Sequence, residues 1–397
     1  MLLSIIIVNY NVKYFVEQCL RSIEQSQHID LAQVEVFVID NLSKDQSVSY
    51  LRERFSTQSC PAVHILANKF NAGFGKANNQ ALQQAKGKYI LFLNPDTLLT
   101  PHTLSDVLEV ARKHDNFGCI GVRMLHTNGR FASESRRGIP TPWTAFCKMS
   151  GLSTLFPHSR TFGRYYMQYL DQEQTTPIDI VSGAFMLTTA QTLSECGAFD
   201  EKFFMYGEDI DLSYRMLLKG LQNYYCPTTI LHYKGESTHK SSYRYVHVFY
   251  EAMLIFFRKH FRHYSLLYTL PIQCAIVLRA LLALLLQQIR LLKKFLNPNV
   301  TRRKERFLYV GRHVDDFLRL AGNYSLDVRC IAADESTLPQ GHRHIDTAPY
   351  LHIVYDMANF STDCILESFR LQQPRHAHIG LYYPDTDILI TGNRTYH

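Results

Sequence analysis

The stretch Ser4-Ile5-Ile6-Ile7-Val8-Asn9-Tyr10-Asn11 is an apolar run that stops abruptly at polar residues. The same arrangement returns where the run 34–39 ends in Asp40-Asn41, and again where the run 89–93 ends in Asn94-Pro95-Asp96. Stretches whose apolar residues have helical spacing separate these runs. Repeated β–α–β units of this kind predict an α/β fold with a mostly parallel sheet and helices on its faces.

Polar residues follow the predicted strands at the points where ligands bind in such sheets. Right-handed crossovers place all the strand carboxyl ends along one edge, which is the ligand edge of an open α/β sheet. Turn chemistry alone is the alternative, because Asn and Asp often terminate strands. Two aspartates at separate strand ends favour a bound ligand, since converging carboxylates repel each other. The residues predicted at this edge are Asn9, Tyr10, Asp40, Asn41, Asn94 and Asp96.

Asp96 and His232 are candidate metal ligands. Pro95 cannot donate to a sheet ladder, so the strand must finish there and present Asp96 at the ligand edge. A hard carboxylate oxygen suits Mg²⁺ or Mn²⁺, and such an ion neutralises a diphosphate. His232 follows an apolar run and precedes a glycine turn, so it is either a structural histidine or a ligand through neutral imidazole.

Three acidic residues, Glu208, Asp209 and Asp211, stand just before an amphipathic pattern. One interpretation is an ordinary acidic first turn that complements the helix dipole. The aromatic and apolar residues 203–206 precede the acids and support another. A carboxylate placed against an apolar wall is partly desolvated, which raises its pKa towards the range of a general base.

Taken in order, the motifs resemble the inverting family 2 glycosyltransferases of the GT-A fold, and among them the bacterial rhamnosyltransferase type. The resemblance extends over residues 1–245, and it implies a Rossmann-like, mostly parallel sheet. The segments that carry it are SIIIVNYN at 4–11, VIDNLSKD at 38–45, NAGFGKANN at 71–79, LNPDT at 93–97, VSGAFML at 181–187, FDEKFFMYGEDIDLSYRM at 199–216 and H..G.S at 232–237.

The resemblance implies where a nucleotide-sugar donor binds. Asp40 corresponds to the carboxylate that contacts the uracil or thymine imide, and Asn9 and Tyr10 flank the nucleoside. The turn 71–79 approaches the donor. Within that turn, close backbone contact and a side-chain amide are expected from Gly73, Gly75 and Asn78.

The resemblance also implies the catalytic and metal-binding groups. Asp96 matches the second acid of the family's DxD metal motif, and Asn94, a weaker ligand, occupies the first position. Asp209 matches the catalytic base that takes the proton from the acceptor hydroxyl. His232 helps to hold the metal, Mg²⁺ or Mn²⁺, or the diphosphate. Glu208 and Asp211 are candidate acceptor-binding or supporting residues.

A basic segment separates two predicted domains, a catalytic domain at 1–245 and a small α/β domain of unknown role at 305–397. Residues 258–306 contain eleven Lys or Arg and one acid, Glu305. Within them, the apolar stretch 266–286 is long enough to span a bilayer, but it includes Pro271 and Arg279. We therefore expect 246–304 to lie at an anionic membrane surface, and a buried helix is the alternative.

The predicted function is transfer of a sugar, with inversion, from a UDP- or dTDP-sugar, with dTDP-rhamnose as the first candidate. The expected acceptor is a saccharide or lipid-linked saccharide in cell-surface polysaccharide synthesis. Nine scattered cysteines suit a reducing cytoplasm, and the basic segment adds the expectation of a peripheral location at the inner face of the cytoplasmic membrane. The competing hypothesis is a non-catalytic sugar-nucleotide or glycan-binding scaffold. Nucleic acid is not an expected partner, because the basic residues surround an apolar stretch.

Overall fold

The computed structural model describes residues 1–233, 243–261, 288–289, 305–374, 376–392 and 394–397. The amino-terminal part of these residues forms one mixed sheet in the order β3-β2-β1-β4-β8-β6-β9-β5, with β7 paired to β9. Its strands are β1 (Leu3–Asn9), β2 (Val34–Asp40), β3 (Ala62–Ala67), β4 (Tyr89–Leu93), β5 (Thr97–Leu99), β6 (Phe117–Leu125), β7 (Thr176–Ile178), β8 (Phe185–Thr189) and β9 (Gln222–His232).

The first four strands in space, β3, β2, β1 and β4, run parallel, as predicted from the alternating pattern. β8 then pairs antiparallel with β4 and β6, while β6 and β9 are parallel to each other. The helices that accompany this sheet are α1 (Lys13–Glu24), α2 (Ser47–Arg54), α3 (Phe74–Leu82), α4 (Thr103–Lys113), α5 (Pro142–Met149), α6 (Leu152–Leu155), α7 (Ala190–Cys196), α8 (Glu208–Leu218) and α9 (Tyr243–His260).

The two longest strands, β6 and β9, do not follow from the sequence pattern. β6 contains Gly118 and Gly121, and at each of them the lack of a side chain lets a neighbouring side chain approach the backbone closely. An added Cβ would lie 2.5 Å from Asn223 Oδ1 at Gly118 and 2.8 Å from Val181 Cγ1 at Gly121. Pro227 interrupts β9 where the pairing of β6 with β9 shifts register. A bulge tolerates proline because its backbone nitrogen is not needed in the ladder.

The carboxy-terminal residues form a second sheet in the order β11-β10-β12-β13-β14-β15. Its first four strands are parallel and the last two are antiparallel. The strands are β10 (Arg306–Val310), β11 (Asp327–Ile331), β12 (His352–Asp356), β13 (His378–Tyr383), β14 (Ile388–Thr391) and β15 (Thr395–Tyr396), and the helices are α10 (Val314–Asn323) and α11 (Thr362–Gln372).

The two sheets pack directly against each other. One continuous apolar cluster contains side chains from both. The loop after β6 connects them through hydrogen bonds, since the carbonyl of Thr127 accepts from the Ile379 N–H at 2.7 Å and Thr127 Oγ1 lies 2.8 Å from His378 Nδ1. An ion pair of 2.7 Å joins Arg21 to Asp385. The second domain therefore packs on the side of the first sheet that carries α1.

Helix α9 packs on the first domain and crosses the boundary predicted between 245 and 246. Its residues Ala252 and Phe256 share an apolar cluster with Ile180, Phe203 and Ile210. Most of the predicted basic segment, including 266–286, lies outside the described residues. Within the part of the chain that is described, no helix has both the length and the apolar character needed to cross a bilayer.

Asp211 fastens α9 to α8 from a fully buried position. Its carboxylate oxygens lie 2.8 Å from Arg215 Nε, 2.8 Å from Lys259 Nζ and 2.7 Å from His260 Nε2. Burial raises the pKa of Asp211, but the hydrogen bonds from His260 and Lys259 and the charge of Arg215 outweigh it and lower the pKa to about 2.

We expect Asp211→Asn to lower the free energy of unfolding at pH 7 by about 3 kcal/mol, because Arg215 and Lys259 lose a buried anion and His260 loses a hydrogen-bond partner. The folded-state pKa lies below the ordinary value of 3.8, so this stabilisation is present above pH 4 and is lost as the pH falls towards 2. Denaturant titrations from pH 7 to pH 2 should show the two proteins converging. Glu109→Gln, at an exposed ion pair with Lys113, is the control and should change stability little. A pH-independent difference would contradict this account.

Candidate active site

A cleft of about 440 Å³ opens at the carboxyl edge of the first sheet. Its wall contains the ends of β1, β2 and β4, the turn before α3, the amino-terminal end of α8, and residues between β6 and α7. Helix α9 closes one side with Phe249 and Met253. The lining includes Tyr10, Asn41, Gly73, Asn94, Asp96, Glu134, Arg137, Lys148, Tyr165, Tyr166, Ser182, Gly183, Glu208, Asp209 and His232.

Asn94, Asp96 and His232 meet at one corner of the cleft. Thr97 pairs with His232 between the antiparallel strands β5 and β9, and this pairing brings the histidine beside the end of β4. His232 Nε2 lies 3.4 Å from Asp96 Oδ1 and 3.5 Å from Asn94 Nδ2. Asp96 and His232 are both buried. Among the described residues, no three His, Cys, Asp or Glu side chains converge as a complete metal-binding cluster.

The donor set at this corner fits a divalent ion that a phosphate also holds. Metal–ligand bonds of roughly 2.0–2.2 Å place neighbouring ligands about 3 Å apart, close to the 3.4 Å between Asp96 Oδ1 and His232 Nε2. Carboxylate oxygen and imidazole nitrogen both suit Mn²⁺, and oxygen suits Mg²⁺. Two such ligands leave most of a coordination sphere open for diphosphate oxygens and water.

Four of the predicted donor-binding residues are buried and lie outside the cleft lining: Asn9, Asp40, Gly75 and Asn78. Asp40 Oδ1 accepts a 2.6 Å hydrogen bond from Asn9 Nδ2, and its Oδ2 accepts one of 2.9 Å from the Ser43 N–H. The Asn78 amide donates to the Phe74 carbonyl in its own helix at 2.9 Å. These contacts hold the ends of β1 and β2 and the start of α3, so direct contact with a donor stays a prediction for these residues.

Gly73, by contrast, lines the cleft and has a positive φ of 83°. A Cβ at this position would lie 2.5 Å from the Phe204 carbonyl oxygen, which also accepts a 2.8 Å hydrogen bond from the Phe74 N–H. Glycine is needed here both for the backbone conformation and for this close approach. The turn before α3 is thereby fixed to the aromatic segment that precedes α8.

Asp209 lies in the first turn of α8 and faces the cleft. Its Oδ2 forms an ion pair with Arg137 and accepts a 3.0 Å hydrogen bond from the Gly183 N–H. Gly183 lies in the break between β7 and β8. An anion at a helix amino terminus is also favoured by the helix dipole. Together, these contacts orient one carboxylate towards the cleft.

Glu208 lines the same wall, but its electrostatic situation differs from that of its neighbour. Its side chain is buried, and its Oε2 has no hydrogen-bond partner within the described structure. Burial, followed by the negative charge of Asp209, raises the pKa of Glu208 to about 8. The desolvated acid expected from the aromatic flank is therefore Glu208, which is protonated near neutral pH, whereas the ion-paired acid is Asp209.

Asp211, the third acid, is absent from the cleft lining and contacts Arg215, Lys259 and His260 instead. Its place is consistent with a supporting role rather than with acceptor binding. The acidic turn thus contains one ion-paired cleft carboxylate, one buried neutral acid and one structural anion. The three acids therefore have different roles, and interaction with the helix dipole alone does not explain their arrangement.

Sequence reasoning missed the cleft residues that come from the irregular segment between β6 and β7. Arg137 is the ion-pair partner of Asp209. Burial lowers the pKa of Arg137, but the negative charge of Asp209 outweighs it, so that the pKa is raised. Lys148 Nζ lies 3.5 Å from the ring centroid of Tyr165 and 5.0 Å from that of Tyr166. The available signal was the pair Arg136-Arg137 and the aromatic content of 143–169, but neither has a regular period.

The amino-acid sequence is similar to those of known glycosyltransferases. The chain is 25% identical over 265 residues to the N-acetylglucosaminyl-diphospho-decaprenol L-rhamnosyltransferase of Mycobacterium tuberculosis, which covers 61% of this chain and 82% of that relative. It is 25% identical to the low-salt glycan biosynthesis hexosyltransferase Agl10 of Haloferax volcanii, over 54% of this chain and 61% of that relative.

A solved mannosyltransferase, PcManGT from Pyrobaculum calidifontis, superimposes with a TM-score of 0.45 and 16% identity, covering 75% of this chain and 81% of that one. The family model described as glycosyl transferase family 2 matches residues 4–195, the part of the chain that contains the ends of β1, β2 and β4. Residues 4–195 therefore form a glycosyl transferase family 2 domain of the GT-A type, and the chain is an inverting glycosyltransferase that uses a nucleotide sugar.

Proposed function

We propose that this enzyme transfers a sugar from a UDP- or dTDP-sugar to a hydroxyl of a lipid-linked saccharide during synthesis of a cell-surface polysaccharide. The supporting observation is one cleft that contains both the Asp96–His232 corner and the Asp209–Arg137 ion pair. The mycobacterial relative is named for rhamnosyl transfer to a polyprenyl-diphosphate-linked sugar. dTDP-rhamnose is therefore the first donor to test.

The Asp96–His232 corner is the proposed diphosphate side of the cleft. Asp96 and His232, with Asn94 beside them, would hold Mg²⁺ or Mn²⁺, and that ion would stabilise the charge that develops on the leaving diphosphate. Asn9 and Asp40 support the nucleoside end, and Tyr10 lines it. The buried hydrogen bond between Asn9 and Asp40 keeps the ends of β1 and β2 together at this edge.

Asp209 is the proposed general base. Its carboxylate takes the proton of the acceptor hydroxyl while that oxygen attacks the anomeric carbon, and the bond from this carbon to the diphosphate oxygen breaks. Attack opposite the leaving group inverts the configuration. Arg137 and the Gly183 N–H keep the carboxylate in position. Glu208, which is protonated near neutral pH, can donate a hydrogen bond to an acceptor but cannot serve as the base there.

A peripheral location at the inner face of the cytoplasmic membrane follows from a lipid-linked acceptor and a nucleotide-sugar donor. Lys148, Tyr165 and Tyr166 line the part of the cleft formed by the segment between β6 and β7. A cation beside two aromatic rings suits the phosphate and the sugar faces of such an acceptor. We therefore assign this side of the cleft to the acceptor.

Donor class and metal use can be measured together by thermal unfolding with UDP-, dTDP-, GDP- and CMP-sugars, with and without Mn²⁺. A donor at about 100 times its dissociation constant should stabilise the fold by about 2.7 kcal/mol. We expect this effect from a UDP- or dTDP-sugar and expect Mn²⁺ to increase it. Asp96→Ala should abolish the increase, whereas Asp115→Ala, at an exposed acid outside the cleft lining, should preserve it. A full Mn²⁺ effect in Asp96→Ala would rule out the metal assignment.

Two neighbouring carboxylates provide a matched test of the base. Asp209→Asn should reduce kcat by at least about 100-fold, because it removes the proton acceptor, and leave donor affinity nearly unchanged, because it does not alter the Asp96–His232 corner. Glu208→Gln should retain activity at pH 7 within a few fold, since glutamine resembles the protonated acid. Steady-state kinetics and donor binding measure both. Wild-type turnover in Asp209→Asn, or complete loss in Glu208→Gln, would reverse the assignment.

The raised pKa of Glu208 also predicts a dependence of stability on pH. Its full contribution to the stability of the folded state is present below pH 4.5, the ordinary pKa of glutamate. The contribution is lost as the pH rises towards about 8, because Glu208 ionises readily in the unfolded chain but not in the folded protein. The stability of the wild type should therefore fall relative to Glu208→Gln between pH 5 and pH 8. Chemical denaturation across this range measures the difference. Parallel curves for the two proteins would show that Glu208 ionises normally.

Gly73→Ala tests the turn that borders the donor. We expect it to lower the free energy of unfolding by about 1–3 kcal/mol more than Gly151→Ala, because the new Cβ would overlap the Phe204 carbonyl oxygen. Gly151 has nearly the same φ, 84°, but has open space around it, so it controls for backbone strain alone. Donor affinity should fall only in Gly73→Ala. Equal effects of the two changes would exclude the close approach as the reason for glycine.

A further inference from the structure

Helices α5 and α6 and the loop after them expose a cluster of large apolar side chains. This aromatic patch consists of Trp143, Phe146, Leu155, Phe156 and Phe162. Exposed fractions are 50% for Trp143, 54% for Phe146, 71% for Leu155 and 52% for Phe156. The ring centroids of Trp143 and Phe146 are 5.7 Å apart, and Phe162 lies 6.2 Å from Trp143 and 5.6 Å from Phe156. The side chains therefore form one continuous surface.

Helix α5 exposes its large apolar side chains to solvent, whereas a helix that covers a core buries them. It buries the small residues Thr144, Ala145 and Cys147 and exposes Trp143 and Phe146, which are three positions apart and so share a face. Thr141 caps the helix by accepting from the Thr144 N–H, and Pro142 occupies its first turn. A capped helix thus holds the rings outward, and contiguous exposed apolar surface of this kind marks an interaction site.

The charge of the surrounding segment indicates the kind of partner. Between residues 139 and 170 there is no Asp or Glu, while Lys148, Arg160 and Arg164 contribute three positive charges. Arg164 also forms an ion pair with Asp179, at 3.6 Å, outside the segment. Tryptophan and phenylalanine beside Lys and Arg are the composition of surfaces that insert into the interface of an anionic bilayer.

The patch borders the acceptor side of the cleft. Lys148 lies on α5 between the exposed Phe146 and the cleft, and Tyr165, which contacts Lys148, follows Phe162 by three residues. We propose that the aromatic patch inserts into the interfacial layer of an anionic bilayer and thereby orients the acceptor side of the cleft towards the membrane surface. The lipid-linked acceptor rests on the proposed function, whereas the insertion itself depends only on the patch.

Trp143 makes the proposal directly measurable, because it is the only tryptophan in the chain. The full-length protein is mixed with vesicles of phosphatidylcholine that contain about one third phosphatidylglycerol. We expect a shift of Trp143 emission to shorter wavelength and quenching by lipids brominated in the acyl chain. Co-sedimentation with these vesicles without any change in emission would overturn the proposal, since binding would then occur through another segment, such as the basic residues of 258–306. Failure to bind the vesicles would also overturn it.

The double variant Phe146→Ser/Phe156→Ser retains Trp143 as the probe. It should partition to vesicles about tenfold more weakly, because two large apolar side chains no longer enter the interface. Leu318→Ser/Leu371→Ser removes side chains that are 45% and 51% exposed on the second domain, and it should bind like the wild type. Equal binding by the two double variants would contradict the proposal.

Transfer to a water-soluble saccharide acceptor separates this proposal from the proposed function. The patch variant should keep its turnover with that acceptor, because none of its changed residues lines the cleft. A protein that inserts into vesicles but transfers no sugar would refute the proposed reaction alone. A protein that transfers sugar but does not insert would refute the membrane surface alone.

Discussion

The position of β1 between β2 and β4 is the constraint on which the rest of the structure depends. Every residue of Leu3–Asn9 is buried, and β1 is hydrogen-bonded to a parallel neighbour on each side. The register pairs Asn9 with Asp40 and Ile7 with Leu93, so the polar residues that end three strands arrive at the same edge. A slip of one residue would move Asn9 away from Asp40 and break the 2.6 Å hydrogen bond that joins the two strand ends. The donor side of the cleft is therefore a consequence of strand pairing.

The catalytic side of the cleft depends on a different element, the amino-terminal turn of α8. Three carboxylates within four residues would repel one another, and the fold separates them by giving each its own surroundings. Asp209 pairs with Arg137, Asp211 contacts Arg215, Lys259 and His260, and Glu208 is buried, which raises its pKa. Because Asp211 also holds α9, the helix that supplies Phe249 and Met253 to the cleft is fixed to the same turn.

How much of this follows from the sequence differs between the two sides of the cleft. The parallel strands β1 to β4 were predictable, because each is a short apolar run that ends in a polar turn. Asp96, His232 and Asp209 were predictable only as members of an ordered set of motifs, and the structure brings all three to one cleft. Glycine and proline are usually unfavourable within a strand, but Gly118 and Gly121 of β6 serve close packing and Pro227 of β9 lies at a bulge. Arg137 and Lys148 come from a segment without a regular period, so only the tertiary fold reveals their place.

The most direct test of the account is a crystal structure of the enzyme with dTDP or UDP and Mn²⁺. We predict that the diphosphate and the ion contact Asp96 and His232 and that the nucleoside lies against Tyr10 at the ends of β1 and β2. Asp209 should then face the open space where the sugar and the acceptor meet. A nucleotide bound in the second domain, or an ion held without Asp96, would contradict the assignment of this cleft.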